Sequence, residues 1–218
     1  MRISALLRTA AAAAVLLLLS SCAASADSTA EQSAGQSSAA VSDSSAVSQP
    51  DSDGGIRTAS SSLRLPLSAG DWGNCTKYST EEKSYVNVPV RVTAVVSGKE
   101  AEKRVKAFAD ESDSFAYTPP DEGAVWVIAD YELSLDGFPT GKGGTTADIT
   151  AFIVPDDGGM FSLNGKNYIP SVVNISGEEY YHHGIICGTI AYILPDDADE
   201  YIIALGEYEE TQAFITVK

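Results

Sequence analysis

The strongest structural signal in the chain is a strict two-residue alternation over residues 85–96. Every even-numbered position in it, from Val86 to Val96, is apolar. Because successive side chains of a β-strand point to opposite faces, this pattern places one continuous apolar face on a single strand. Pro89 cannot donate a ladder hydrogen bond, so we expect this strand to lie at a sheet edge or to carry a bulge there. The sequence therefore predicts a sheet with one face packed on a core.

Further strand-like segments follow, separated by turn-forming residues such as Asn164-Gly165. They cover residues 125–135, 148–154, 168–175, 184–194, 200–205 and 211–217. No repeating helix lies between them, which argues against a doubly wound sheet. The fold class is therefore predicted to be mainly β: an antiparallel β-sandwich of about seven strands with one short helix.

The expected helix covers residues 99–112, where apolar side chains recur at helical rather than strand spacing. We expect it to be amphipathic and to cross between the first two strands. It carries a basic cluster made of Lys99, Lys103, Arg104 and Lys106. Two interpretations of this cluster are open: a solvated helix face, which we favour, or a docking patch for an acidic partner.

The N-terminus has the organisation of a secretory signal peptide. Arg2 and Arg8 are followed by an apolar run of ten residues at 10–19, which matches the basic and apolar regions of such a peptide. A membrane-spanning helix needs about 20 apolar residues. The run is therefore predicted to direct export rather than to remain as a transmembrane helix.

The run ends in Leu19-Ser20-Ser21-Cys22, which resembles the lipobox of bacterial lipoproteins. In that motif small residues precede a cysteine that is acylated and becomes the new N-terminus. We therefore expect residues 1–21 to be removed, Cys22 to hold the protein in the lipid bilayer, and the chain to lie on the extracytoplasmic face of the cell membrane. The alternative is an ordinary signal peptide cleaved at 23–26, with Cys22 as a bystander.

Residues 22–62 are predicted to be the lipidated cysteine followed by a disordered linker. Of the 40 residues at 23–62, 13 are Ser and 9 are Ala, so this stretch has too little apolar surface to offset its chain entropy. The remaining residues, 63–218, are assigned to the single β-sandwich domain.

Several features together resemble a known family. They are the lipobox, the Ser/Ala-rich linker, the strand VWVIADYEL at 125–133, the strand GTIAYILP at 188–195, and Tyr201-Ile202-Ile203. This arrangement is similar to the telokin-like, immunoglobulin-like domains of unknown function found in bacterial surface lipoproteins, over residues 83–218. The helical segment at 99–112 departs from a plain immunoglobulin connection. The resemblance implies an extracellular, non-catalytic binding or structural domain and supplies no ligand or catalytic residue.

Cys75 and Cys187 remain once Cys22 is acylated. An even pair in an exported protein is compatible with a disulfide. The alternative is two separate thiols, with Cys187 packed among isoleucines as a small apolar residue. The sequence leaves both alternatives open.

Other residues were considered for metal binding or catalysis. His182 and His183 are adjacent, so in an extended segment their side chains point to opposite faces and cannot share a metal. The acidic turns at 156–157 and 196–200 offer carboxylates to calcium, but Asp is also favoured in turns for local hydrogen bonding. The carboxylates Glu178, Glu179, Glu207, Glu209 and Glu210 are candidates for a glycosidase pair. We predict no metal site, no cofactor and no catalytic residue.

The tryptophans bear on sugar binding. Trp72 and Trp126 are candidates for an aromatic platform under sugar rings, and for Trp126 burial against the helix is the favoured alternative.

The net charge excludes one class of partner. The chain has 30 acidic and 14 basic residues, for a formal charge of −16, which would repel a polyanion and argues against nucleic-acid binding. The predicted function is therefore a membrane-anchored lipoprotein whose non-catalytic domain binds an unknown envelope protein or cell-wall component. The alternative is an envelope sugar-binding protein or a carboxylate-based hydrolase.

Overall fold

The computed structural model describes residues 56–79, 82–136, 138–139, 149–176, 183–206 and 212–217. The predicted signal peptide, Cys22 and the linker up to residue 55 lie outside these ranges. The described elements, in chain order, are β1 (Leu67–Ser68), β2 (Gly73–Ser79), β3 (Ser84–Ser97), α1 (Lys99–Glu111), β4 (Ala124–Ser134), β5 (Ala151–Pro155), β6 (Phe161–Leu163), β7 (Lys166–Tyr168), β8 (Val173–Asn174), β9 (Ile185–Pro195), β10 (Tyr201–Leu205) and β11 (Ala213–Val217).

The strands form two main sheets packed face to face. One has the order β2-β3-β4-β9-β8 and the other β1-β11-β10-β5, while β6 and β7 form a separate hairpin. The predicted mainly-β sandwich with one helix is confirmed. One pair of strands departs from the antiparallel pattern: β1 runs parallel to β11, because the incoming chain follows the last strand before it turns into β2.

The alternation read from the sequence explains the core. Val88, Val90 and Val92 of β3 point inward and are buried with Tyr131 of β4 and Ile203 of β10 in one cluster. Burying such a side chain contributes roughly 1.5–3 kcal/mol. The inner faces of both sheets therefore meet in a continuous apolar layer.

The expectation for Pro89 is wrong in both of its forms. Strand β3 is an interior strand, paired with β2 on one side and β4 on the other, and its irregularity lies between Val92 and Ala94. Pro89 is tolerated because the β3–β4 pairs begin only at Val90. In that part of β3, Pro89 has a partner on β2 alone, Asn74.

Helix α1 lies between β3 and β4 in the chain, as predicted, and packs on the outer face of the five-stranded sheet. It begins after Gly98, whose φ of 69° suits a residue without a β-carbon. Ala101 and Val105 are fully buried against Trp126 and Ile128 of β4. The helix therefore gives the sandwich a second, smaller apolar layer.

Residues just before position 63 contact the sandwich. The Asn74 side chain donates a 2.6 Å hydrogen bond to Thr58 Oγ1, and the Phe214 amide donates to Ser61 Oγ at 3.0 Å. Composition gave no sign of this, because these contacts come from small polar side chains that also dominate the linker.

Within the described part of the chain, no helix is long and apolar enough to cross a membrane.

Candidate functional site

The two acidic turns considered separately in the sequence lie side by side. Pro155, the last residue of β5, pairs with Tyr201, the first residue of β10. The turn after β5 and the turn before β10 therefore leave the sheet at the same end. This pairing joins segments about 45 residues apart and brings two acidic turns to one end of the sheet.

Between these turns lies a space of about 310 Å³, here called the acidic groove. Its carboxylates are Asp156, Asp157, Asp197, Asp199 and Glu200, and all five residues are exposed. Among the described residues, no group of three or more His, Cys, Asp or Glu side chains is arranged to hold a metal ion. The carboxylates that the calcium alternative requires thus lie in one region, but they do not converge on one point.

A second space, the end cleft, opens between the two sheets beside the acidic groove. It measures about 270 Å³. Its apolar walls are Val95, Val125, Val127, Leu194 and Val217. Ser97, Asp196 and Asp199 form its polar rim, and Pro195, Ala198 and Asp199 line both spaces. Val127, Leu194 and Val217 are buried, so the half-buried Val95 and Val125 are the wall valines with accessible apolar surface, beside a rim that is polar.

A pair of buried tyrosines lies beside the end cleft. The hydroxyl groups of Tyr192 and Tyr201 lie 3.0 Å apart, and their rings pack edge to face at 6.0 Å. Burial raises the pKa of both hydroxyls, that of Tyr192 well above its usual value. Tyr201 lines the cleft, so this wall is a neutral, fixed hydroxyl pair.

The basic cluster on α1 is partly neutralised within the protein. Arg104 makes a bidentate ion pair with Asp130, at 2.7 and 2.9 Å. Lys106 lies 2.7 Å from Glu102 and 4.7 Å from the ring centroid of Tyr117. These contacts support the solvated-face interpretation, since two of the four cations already have anionic partners.

The tryptophans are core residues. Trp126 is 5% exposed, as favoured from the sequence, and Trp72 is 7% exposed with the Arg91 guanidinium 4.6 Å from its ring centroid. Neither offers a platform to a sugar. The exposed aromatic pair is instead Tyr78 and Tyr85, with ring centroids 5.4 Å apart.

Cys75 and Cys187 are not joined by a disulfide, so the structure shows two separate thiols and the bonded alternative is corrected. The two residues lie on β2 and β9, which are separated by β3 and β4. Three strand spacings of about 4.8 Å alone separate them by about 14 Å, and the register adds about three residues along the strands, whereas a disulfide needs Cα atoms within about 7 Å. Cys187 is exposed rather than packed among isoleucines.

The two thiols are expected to differ in reactivity. Burial raises the pKa of the Cys75 thiol to about 12, and the thiolate is the reactive form. In protein carrying Cys22→Ala, iodoacetamide at pH 8 should therefore label Cys187 alone, and both cysteines after denaturation. Intact-mass spectrometry and peptide mapping give the count and the site. A denatured protein without adducts and two hydrogens lighter would contradict the observed geometry.

The remaining sequence candidates do not enter the site. His183 is exposed, and His182 lies outside the described residues. The five glutamates considered for a glycosidase pair, Glu178, Glu179, Glu207, Glu209 and Glu210, lie outside them as well.

Comparison with known proteins assigns neither a family nor a function to the chain. No family model matches the chain, and no curated protein matches it. Among solved structures, the chain is similar to an uncharacterized beta-sandwich protein from Clostridium difficile 630, at 12% identity and a TM-score of 0.35, over 74% of this chain and 97% of that one. This likeness assigns no function.

Proposed function

We propose that the chain is a lipoprotein, anchored through acylated Cys22 on the extracytoplasmic face of the cell membrane, whose β-sandwich is a non-catalytic binding module. The observation that carries the anchor is the placement of Leu19-Ser20-Ser21-Cys22 directly after a ten-residue apolar run. The end cleft and the acidic groove are the proposed binding surface.

The exposure of the carboxylates supports binding rather than hydrolysis. A glycosidase needs one carboxyl group that remains protonated as a general acid, which requires its removal from water. The carboxylates of the acidic groove, Asp157 and Asp199 among them, are exposed to solvent. Exposed carboxylates of this kind are suited to attract a cation.

A sugar-binding module is the second candidate, favoured by one observation. Tyr78 and Tyr85 are 46% and 45% exposed and stand side by side on paired positions of β2 and β3. Exposed aromatic rings offer an apolar face to sugar rings. Binding of a soluble glycan that Tyr85→Ala abolishes would favour this candidate.

The anchor is tested by replacing its acceptor. Cys22→Ala removes the thiol that takes the lipid, so the protein is expected to move from the membrane fraction to the soluble fraction of lysed cells. Acyl chains contribute roughly 0.8 kcal/mol per buried methylene, which is why their loss should release most of the protein. Immunoblotting of the fractions measures it.

Cys187→Ala is the matched control, because it also removes an exposed thiol and should leave the protein in the membrane fraction. Unchanged fractionation of Cys22→Ala would contradict the anchor.

A further inference from the structure

We propose that the end cleft and the acidic groove together bind an extended basic peptide segment of a partner protein, with one apolar side chain in the cleft and cationic side chains along the groove. The inference rests on the binding half of the proposed function and is independent of the anchor.

The apolar part of the argument comes from the walls of the end cleft. Val95 and Val125 are only half-buried, while Val127 and Leu194 behind them belong to the core. The opening of about 270 Å³ has room for one aliphatic or aromatic side chain. Covering the two half-buried valines removes apolar surface from water, which is what stabilises an anchor residue in a pocket.

The negative charge of the end cleft and the acidic groove determines the charge that the rest of the ligand must carry. Asp196 and Asp199 stand at the cleft, and five carboxylates line the groove. None of the described residues that line either space is Lys or Arg. Together with the chain's formal charge of −16, this surface attracts cations over long range and rejects anionic partners.

The arrangement of the two spaces favours a chain over a small amine. The cleft and the groove adjoin at Pro195, Ala198 and Asp199, so an occupant of both must carry apolar and cationic groups several ångströms apart. A peptide segment does this with successive side chains. A single amine with an apolar ring would fill the cleft and make no contact with most of the groove carboxylates.

The test measures peptide binding to the full chain, purified in detergent, by isothermal titration calorimetry. The probe is the amidated, acetylated pentapeptide KKLKK, with EELEE and KKSKK as controls for charge and for the apolar side chain. Binding of KKLKK is expected to be tightest, to weaken at 0.5 M salt, and to exceed that of KKSKK, while EELEE should not bind.

Two variants locate the site. Asp199→Asn removes the carboxylate shared by both spaces and should weaken KKLKK about threefold to fivefold at low salt, the range of an exposed ion pair, and much less at high salt. Ser97→Phe, at an exposed rim position, should fill the cleft and remove the advantage of KKLKK over KKSKK. Asp113→Asn is the matched control, since Asp113 is an exposed aspartate near the C-terminal end of α1.

Several outcomes would overturn the proposal. They are equal binding of KKLKK and EELEE, an Asp113→Asn effect as large as that of Asp199→Asn, or an unchanged KKLKK affinity in Ser97→Phe with an unchanged melting temperature. If the full chain ignores all peptides but binds a soluble glycan in a Tyr85-dependent way, the peptide proposal fails and a binding module remains. Retention on the membrane is read separately from Cys22→Ala.

Discussion

Gly188→Val is expected to lower the free energy of unfolding by about 3 kcal/mol, the upper end of the usual cost of overpacking a core. Gly188 on β9 pairs with Tyr131 on β4. A β-carbon at position 188 would come within 3.0 Å of Cζ, Oη and Cε1 of the Tyr131 ring. Tyr131 is fully buried, so its ring has no free space to enter. Valine is a strong strand former, so any loss must come from this steric conflict.

Urea unfolding followed by circular dichroism measures the change as a shift of the midpoint at constant slope. Ile185→Val is the control, because Ile185 is an exposed residue of the same strand and should change stability by no more than about 0.5 kcal/mol. The double variant Gly188→Val, Tyr131→Ala should be less destabilised than the sum of the two single variants. Unchanged stability in Gly188→Val would contradict the β4–β9 register.

The sequence predicted best where every second side chain of a strand is apolar. Strand β3 was expected at 85–96 and is observed at Ser84–Ser97. Strand β4 was expected at 125–135 and is observed at Ala124–Ser134. In both strands the alternation reflects a local cause, namely that every second side chain enters the core, and so it is visible in a single segment.

The sequence missed β2 because, apart from Cys75 and Gly73, its buried positions are polar. Lys77 is only 2% exposed, with its ammonium group 5.7 Å from the ring centroid of Phe138, and Thr76 and Ser79 are buried as well. A strand that buries polar side chains gives no apolar alternation. Missing β2 also hid the Tyr78–Tyr85 pair, which exists only because β2 lies beside β3.

The candidate site was predictable only in its parts. The turns at 156–157 and 196–200 were recognised as acidic, but their meeting depends on the pairing of β5 with β10. The end cleft exists because one end of each of five strands, β3, β4, β9, β10 and β11, lies at the same edge of the sandwich. Pairing between distant strands is set by the whole fold, and no local pattern in either turn carries it.

The second large loss of stability is expected in the smaller apolar layer, between α1 and the five-stranded sheet. Trp126→Ala should destabilise the protein by about 3–5 kcal/mol, the usual cost of truncating a buried large aromatic side chain. The Trp126 side chain packs with Ala101 and Val105 of α1, and its indole N–H donates to the Thr118 carbonyl oxygen at 3.2 Å. Removal of the indole leaves a cavity under the helix and breaks the contact with the segment that follows it.

Trp126→Phe separates the two contributions. It keeps an aromatic ring between α1 and the sheet but loses the indole donor. Beyond the cost of the smaller ring, it should lower the free energy of unfolding by only about 1 kcal/mol, the net value of one hydrogen bond. Urea unfolding of both variants, read by circular dichroism, measures the difference. If alanine were as well tolerated as phenylalanine, the helix would not be held by this layer, and the Arg104–Asp130 ion pair at 2.7 Å would have to position it. That outcome would conflict with the modest stabilisation that a partly exposed ion pair provides.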